Sequence, residues 1–143
     1  AIYDNYLTNL EQNIKTKYDE HNNNILNSSS KTLESDYTIT ITKDLDLVFK
    51  TNDEKIYKVL DTNVLNMFLI EEGNGGFKYL YFIKKDGSLN NVCIDCYKEM
   101  GAFKITKINK KNVVNVTQGI FDSKASGFRA PIFIDIYGNV LIS

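Results

Sequence analysis

From Tyr3 to Ile25, apolar and aromatic positions recur at steps of three and four: Tyr3, Tyr6, Leu7, Leu10, Ile14, Tyr18, His21 and Ile25, with acidic, amide and lysine side chains between them. That spacing predicts one face of an α-helix of about six turns. No Gly or Pro interrupts it, and Asn22-Asn23-Asn24 with Asn27-Ser28-Ser29-Ser30 make a polar end. The stripe is narrow and rich in tyrosine. It suits a helix lying along a sheet, or the projecting part of a longer helix. Beyond Thr32 the period becomes two: Tyr37, Ile39 and Ile41 alternate with Thr38, Thr40 and Thr42, and Lys43-Asp44 turns the chain into Leu45 to Phe49. Further strands are predicted near Lys55 to Leu60, Val64 to Ile70, Phe77 to Lys84, Ser88 to Asp95, Phe103 to Ile108, Val113 to Thr117, Pro131 to Ile136 and Asn139 to Ile142. Asp86-Gly87 and Gly138-Asn139 supply residues that tolerate positive φ at the turns.

The fold class predicted is mainly β (α+β): an N-terminal amphipathic helix, then an antiparallel sheet of about eight to ten short strands. Residues 1–34 are read as helix and polar connector, and 35–143 as the β region, in one structural domain overall. Phe77, Tyr79 and Tyr81 share one strand face and Leu80 and Phe82 the other, so this strand is expected in the middle of its sheet.

One similarity recurs at an interval of about fifty residues. Asn63-Val64-Leu65, a glycine-rich loop, Tyr81-Phe82-Ile83 and Asp86-Gly87-Ser88-Leu89 are echoed by Asn112-Val113-Val114, a loop with Gly119 and Gly127, Phe133-Ile134-Asp135 and Tyr137-Gly138-Asn139-Val140. If this is one unit used twice, the two turns are equivalent. The order resembles the blade of chromosome-condensation-regulator type β-propellers, through Val113, Val116, Gly119, Ile132, Ile134, Gly138 and Val140, and less fully Val64, Gly73, Leu80, Phe82, Gly87 and Leu89. The likeness covers about half the chain and implies two propeller-blade-like units. It carries no site residue across, because the blade-terminal tryptophan-glycine of that family has no counterpart in a chain without tryptophan. The chain is also similar in style to exported proteins of unknown function from AT-rich bacterial genomes.

Composition narrows the function classes. Sixteen lysines stand beside a single arginine, Arg129, and asparagine and isoleucine are abundant, as AT-rich codons would give. Charges of both signs are interspersed and sum to -1, which gives no pull toward a nucleic acid backbone. Lys104, Lys107, Lys110 and Lys111 lack an interleaved aromatic platform and read as a solvated turn. Asn27 and Asn115 open glycosylation-type triplets that mean little in a bacterial chain. The first residue is Ala1, and a signal peptide or membrane anchor upstream of it is compatible with the reading.

Candidate chemistry is sparse. Cys93 and Cys96 form the one Cys-x-x-Cys; on a continuous strand their side chains point to opposite faces, so they are expected to be ordinary thiols holding no metal unless the strand ends between them. His21 is the sole histidine, too few for nucleophile–imidazole pairs, and is expected to be structural. The Glu71 to Gly76 loop reads as a hairpin connection rather than a phosphate or calcium loop. Asp44, Asp46, Asp95 and Asp135 lie in or beside strands, where a facing pair would suit glycoside hydrolysis; Asp135 is expected to cap the Tyr137-Gly138 turn. No catalytic, cofactor or metal residue is therefore assigned. The function expected is a non-catalytic extracytoplasmic module, secreted or surface-anchored, binding a protein or cell-envelope component. The alternatives are a pilin-like structural subunit and a small carboxylate-dependent hydrolase.

Overall fold

The structure is a computed structural model, and it describes residues 1–21, 27–31, 36–73, 76–96, 102–121 and 128–142. It opens with α1 (Ile2–His21), which has Asp4 in its first turn, where a carboxylate favours the helix's positive end. Leu7 and Ile14 are buried and Leu10 packs against the same core, so the predicted stripe faces the β region, chiefly β5. Residues 22–26, into which the predicted helix ran, lie outside the described residues.

Eleven strands follow: β1 (Asn27–Lys31), β2 (Asp36–Ile41), β3 (Leu47–Thr51), β4 (Tyr57–Asp61), β5 (Val64–Glu72), β6 (Phe77–Lys84), β7 (Leu89–Cys93), β8 (Ile105–Ile108), β9 (Val113–Phe121), β10 (Phe128–Asp135) and β11 (Val140–Ile142). The sequence reading missed β1, because Asn-Ser-Ser-Ser-Lys has neither alternation nor β-branched residues; it is a strand through its pairing with β2. All pairings are antiparallel, in three meanders: β1-β2-β3-β4, β5-β6-β7-β8 and β9-β10-β11. As expected, β6 is an interior strand of its sheet.

The repeat is visible in the hydrogen bonds. Gly87 N–H donates to Lys84 O (2.8 Å) and Lys84 N–H to Ser88 O (2.9 Å), while Gly138 N–H donates to Asp135 O (3.0 Å) and Asp135 N–H to Asn139 O (3.0 Å). Both glycines are left-handed, at φ 86° and 84°. This is the three-residue hairpin loop whose last position needs positive φ. Val64 pairs with Lys84 and, after a bulge, Asn66 with Ile83; Val113 pairs with Asp135 and, after a bulge, Asn115 with Ile134. Left-handed Asn63 and Asn112 precede the two first strands and accept N–H bonds from Lys85 (2.7 Å) and Ile136 (2.9 Å). The turn recurs a third time, where Leu45 N–H donates to Thr42 O (2.9 Å) with Leu45 at φ 67°.

The three sheets stack on one another. Tyr37, Ile39, Ile41, Leu47 and Phe49 form one face of the first sheet and are all buried; Phe49 meets the ring of Phe103, from the β7–β8 connection, at 4.8 Å between centroids. Tyr81 and Ile83 occupy the equivalent face of the second sheet. Both are buried, and Tyr81 meets Phe133 of the third sheet. Tyr81 and Phe133 both belong to the shared core, yet they sit on opposite faces of their units.

Candidate functional site

The third sheet has two unlike faces, because neighbouring residues on a strand point to opposite sides. Phe133 pairs with Val116 and Leu141, and this face packs into the core. The opposite face carries Ile134 beside Val140, Ile132 beside Ile142 and Thr117, and farther along Ala130 and Phe128. Val140 is 60% exposed, Ile142 59% and Phe128 45%. In the second sheet the equivalent side chains Ile83 and Leu89 are 0% and 1% exposed. Ile134, Ile132, Val140 and Ile142 therefore form a partly exposed counterpart of a face that is core in the neighbouring unit. The sequence signal for it was present in Pro131 to Ile134 and Val140 to Ile142, which are apolar at successive positions and hence on both faces.

Ionisable groups are mostly committed to one another. Glu71 bonds Lys78 Nζ (2.5 Å), lies 3.6 Å from Arg129 Nε and has its N–H donating to Gln118 Oε1 (2.9 Å). Lys78, chiefly, holds the Glu71 carboxyl below its ordinary pKa, with Arg129 adding to it. Gly73 and Arg129 exchange backbone bonds, so this charged cluster ties β5 to β10. Gly73 and Gly76 are left-handed, as the hairpin reading of the loop requires, but Glu71 and Glu72 belong to β5 and not to the loop. Glu72 accepts from the buried Tyr81 hydroxyl (2.6 Å); desolvation raises its pKa, against the opposing effect of that hydrogen bond. Burial first, then the bonded carboxylate, pushes the Tyr81 phenol up strongly.

The other carboxylates considered for catalysis are scattered. Asp44 lies in the β2–β3 turn, Asp46 just before β3, and Asp95 after β7, where its Oδ1 accepts the Lys78 N–H (2.7 Å). Asp135 caps its turn as expected, accepting N–H bonds from Tyr137 (2.9 Å) and Asn139 (2.8 Å).

Cys93 and Cys96 overturn the expectation of ordinary thiols: they are joined in a disulfide with Cα atoms 5.6 Å apart. The physical reason is that β7 ends at Cys93, so the alternation of faces that would separate the sulfurs stops there. The Asp95 carboxylate comes within 4.8 Å of both sulfurs, but the sulfurs are bonded to each other and offer no thiolate. Lys107 is part of β8, whereas Lys110 and Lys111 lie in the following turn; Lys110 Nζ sits 5.3 Å from the Phe133 ring centroid. With Tyr3, Asp86 and Asn112 these lysines border an open groove at the start of α1. The Tyr3 hydroxyl bridges toward Gly87 O (3.3 Å) and Val113 O (3.2 Å), and burial, with Tyr6 and Asp86 nearby, pushes its pKa up to about 12. The side chain of His21 and that of Asn27 lie outside what is described. Asn115 is exposed on β9.

No helix among the described residues is long and apolar enough to cross a membrane. Comparison with protein-family models, with curated proteins and with solved structures returns no match to the chain.

Proposed function

We propose that the chain is a non-catalytic extracytoplasmic module, secreted or held at the cell surface, that binds a protein or envelope component through the open face of its third sheet. The observation that carries this is the exposure of Val140 and Ile142 beside Ile132 and Ile134, a contiguous apolar surface with no charged side chain among those four. Surfaces of that kind on soluble proteins are where partners bind. The non-catalytic part of the reading is supported by the distribution of the carboxylates, which cap separate turns or pair with lysine, arginine and tyrosine.

The double substitution Val140→Lys with Ile142→Lys tests it, since both side chains are largely exposed and their replacement leaves the core intact. The native protein immobilised on beads and passed over a solubilised envelope fraction is expected to retain a partner that the doubly substituted protein does not. Identical retention by both proteins would remove the open face from the reading. A pilin-like subunit is a second reading, favoured by the burial of Leu7 and Ile14 of α1 against the β region. The gene upstream decides it: an apolar run of about twenty residues directly before Ala1 supports that architecture, and a small-residue cleavage site supports secretion.

A further inference from the structure

We propose that the segment from Cys93 to Cys96, once its disulfide is reduced, binds a thiophilic divalent cation of the zinc type, with the two thiolates and the Asp95 carboxylate as its ligands. Such a site is separate from the open face of the third sheet and stands or falls without it.

Three donor atoms converge there. The sulfurs of Cys93 and Cys96 and a carboxylate oxygen of Asp95 all lie within 4.8 Å of one another. Tetrahedral coordination with zinc–sulfur bonds of about 2.3 Å sets two sulfurs roughly 3.8 Å apart. Once the S–S bond is broken, the sulfurs have only to separate to that spacing, and their Cα atoms are already 5.6 Å apart. Two residues between the cysteines is also the interval at which structural zinc sites place a chelating pair.

What keeps the donors together after reduction is the backbone. Ile94 N–H donates to Lys78 O (2.8 Å), Lys78 N–H donates to Asp95 Oδ1 (2.7 Å), and the Ile94 side chain is buried. Cys93 is placed by β7, where it pairs with Tyr79 of β6. The bond from Lys78 also orients the Asp95 carboxylate. It occupies Oδ1 and leaves Oδ2 for a cation, the outer-shell support that metal-binding carboxylates commonly have. The Lys78 ammonium does not compete for that oxygen, because it is engaged by Glu71. Cys93 is buried while Asp95 and Cys96 are half-buried, so the protein walls one side and the other admits a cation, with water as its fourth ligand.

The donor set chooses the cation. Two thiolates and one carboxylate suit zinc and other thiophilic metals, whereas calcium and magnesium take oxygen ligands. The disulfide and the bound cation exclude each other, because only the thiolate is a ligand. A phosphine supplies the two electrons that break the S–S bond: with one water it becomes the phosphine oxide, and each sulfur takes a proton. Binding the cation then releases both thiol protons.

Cobalt(II), which occupies thiolate sites and reports on them by colour, probes the intact chain under anaerobic conditions after reduction with a phosphine. Native mass spectrometry counts the metal, and circular dichroism follows the fold. The reduced chain is expected to stay folded, to take up one cobalt ion with thiolate-to-metal charge-transfer absorption in the near ultraviolet, and to exchange it for zinc. The disulfide form should take up none. Cys96→Ser should weaken binding by more than about a hundredfold. Asp95→Asn keeps an oxygen for the Lys78 N–H and should raise the zinc dissociation constant by more than about tenfold. A folded, reduced chain that binds no cobalt overturns the proposal, and so does uptake without charge-transfer absorption, which places the cation on carboxylates elsewhere. Equal binding by Asp95→Asn and the native chain overturns the three-ligand site. A reduced chain that unfolds overturns it too, since the donors then have no fixed geometry.

Discussion

The ring of Tyr81 on β6 meets that of Phe133 on β10 edge to face, with centroids 5.6 Å apart and planes at 74°. With the Glu71 contacts to Arg129 and Gln118, it joins two units whose own strands do not pair with each other, apart from the Gly73–Arg129 bridge. Phe133 is 2% exposed, so Phe133→Ala is expected to cost about 3–5 kcal/mol. Tyr81→Phe keeps the ring and removes only the hydroxyl that serves Glu72, and should cost about 1–3 kcal/mol. Denaturant unfolding of both variants checks the order; equal losses would mean that the hydroxyl, not the ring contact, secures the junction.

Gly87 and Gly138 hold the same turn position, but their surroundings differ. A Cβ at Gly87 would lie 2.9 Å from Tyr3 Cε2, whereas at Gly138 it would meet nothing within 4 Å. Alanine at either is strained by the left-handed backbone, by about 1–2 kcal/mol. Gly87→Ala should lose more, because the Tyr3 ring that anchors the start of α1 has to move. Thermal unfolding of the pair measures the difference, and because Tyr3→Ala removes the ring that clashes, the Tyr3→Ala, Gly87→Ala double variant should lose less than the sum of the two single losses.

Left-handed Glu54, at φ 61°, is exposed in the β3–β4 turn. Glu54→Gly relieves the backbone without losing burial and is expected to stabilise by up to about 1 kcal/mol. Leu45 has the same conformation but is 3% exposed, so Leu45→Gly loses about 1.5–3 kcal/mol of burial and should destabilise. Opposite signs for the two in a chemical denaturation series are the expected result.

The features legible in the sequence were those written in local period or turn chemistry. The helix stripe of Leu7, Leu10 and Ile14, the strands from β2 to β11 and the paired Asp86-Gly87 and Tyr137-Gly138 turns all come from residues close together in the chain. β1 was invisible because its residues state no preference and its strand is imposed by β2, a tertiary effect. The disulfide turned on whether β7 stopped at Cys93 or at Asp95, a boundary finer than a pattern can place. The open face was hidden for another reason. Ile132 and Phe133 are equally apolar, and only the stacking of three sheets decides which of them reaches the core.

The Cys93–Cys96 disulfide closes a very short loop, for which chain entropy gives on the order of 2 kcal/mol. The loop is also tied to β6 by Ile94 N–H to Lys78 O (2.8 Å) and by Lys78 N–H to Asp95 Oδ1 (2.7 Å). Reduction should therefore lower stability by about 1–2 kcal/mol without unfolding the protein. Mass spectrometry before and after alkylation establishes the oxidised state, and Asp95→Ala in the reduced protein should take away about a further 1 kcal/mol.

Glu72 sets the last expectation, because its shift runs opposite to that of Glu71. Desolvation raises the Glu72 pKa in the folded protein, so the folded state holds this proton more tightly than the unfolded one. The associated stability is fully present below the unfolded value and is lost as pH rises through the raised folded one. Glu71 and Asp86 behave in reverse: Lys78 and the Ser88 bonds lower their values, so their stabilisation holds above the ordinary carboxylate range and fades as pH falls through the lowered one. Glu72→Gln keeps an oxygen for the Tyr81 hydroxyl and removes the half-buried charge. Its stability relative to the native chain should therefore improve steadily from about pH 4 toward neutrality, where native Glu72 is ionised. Glu71→Gln should do the opposite in the acidic part of a range extended down to about pH 2, falling behind the native chain as pH rises toward about 4 and Glu71 ionises against Lys78 and Arg129, and then staying level with it. Melting temperatures of the three proteins across that range decide the matter: curves that run parallel would show that neither carboxyl changes its proton affinity on folding.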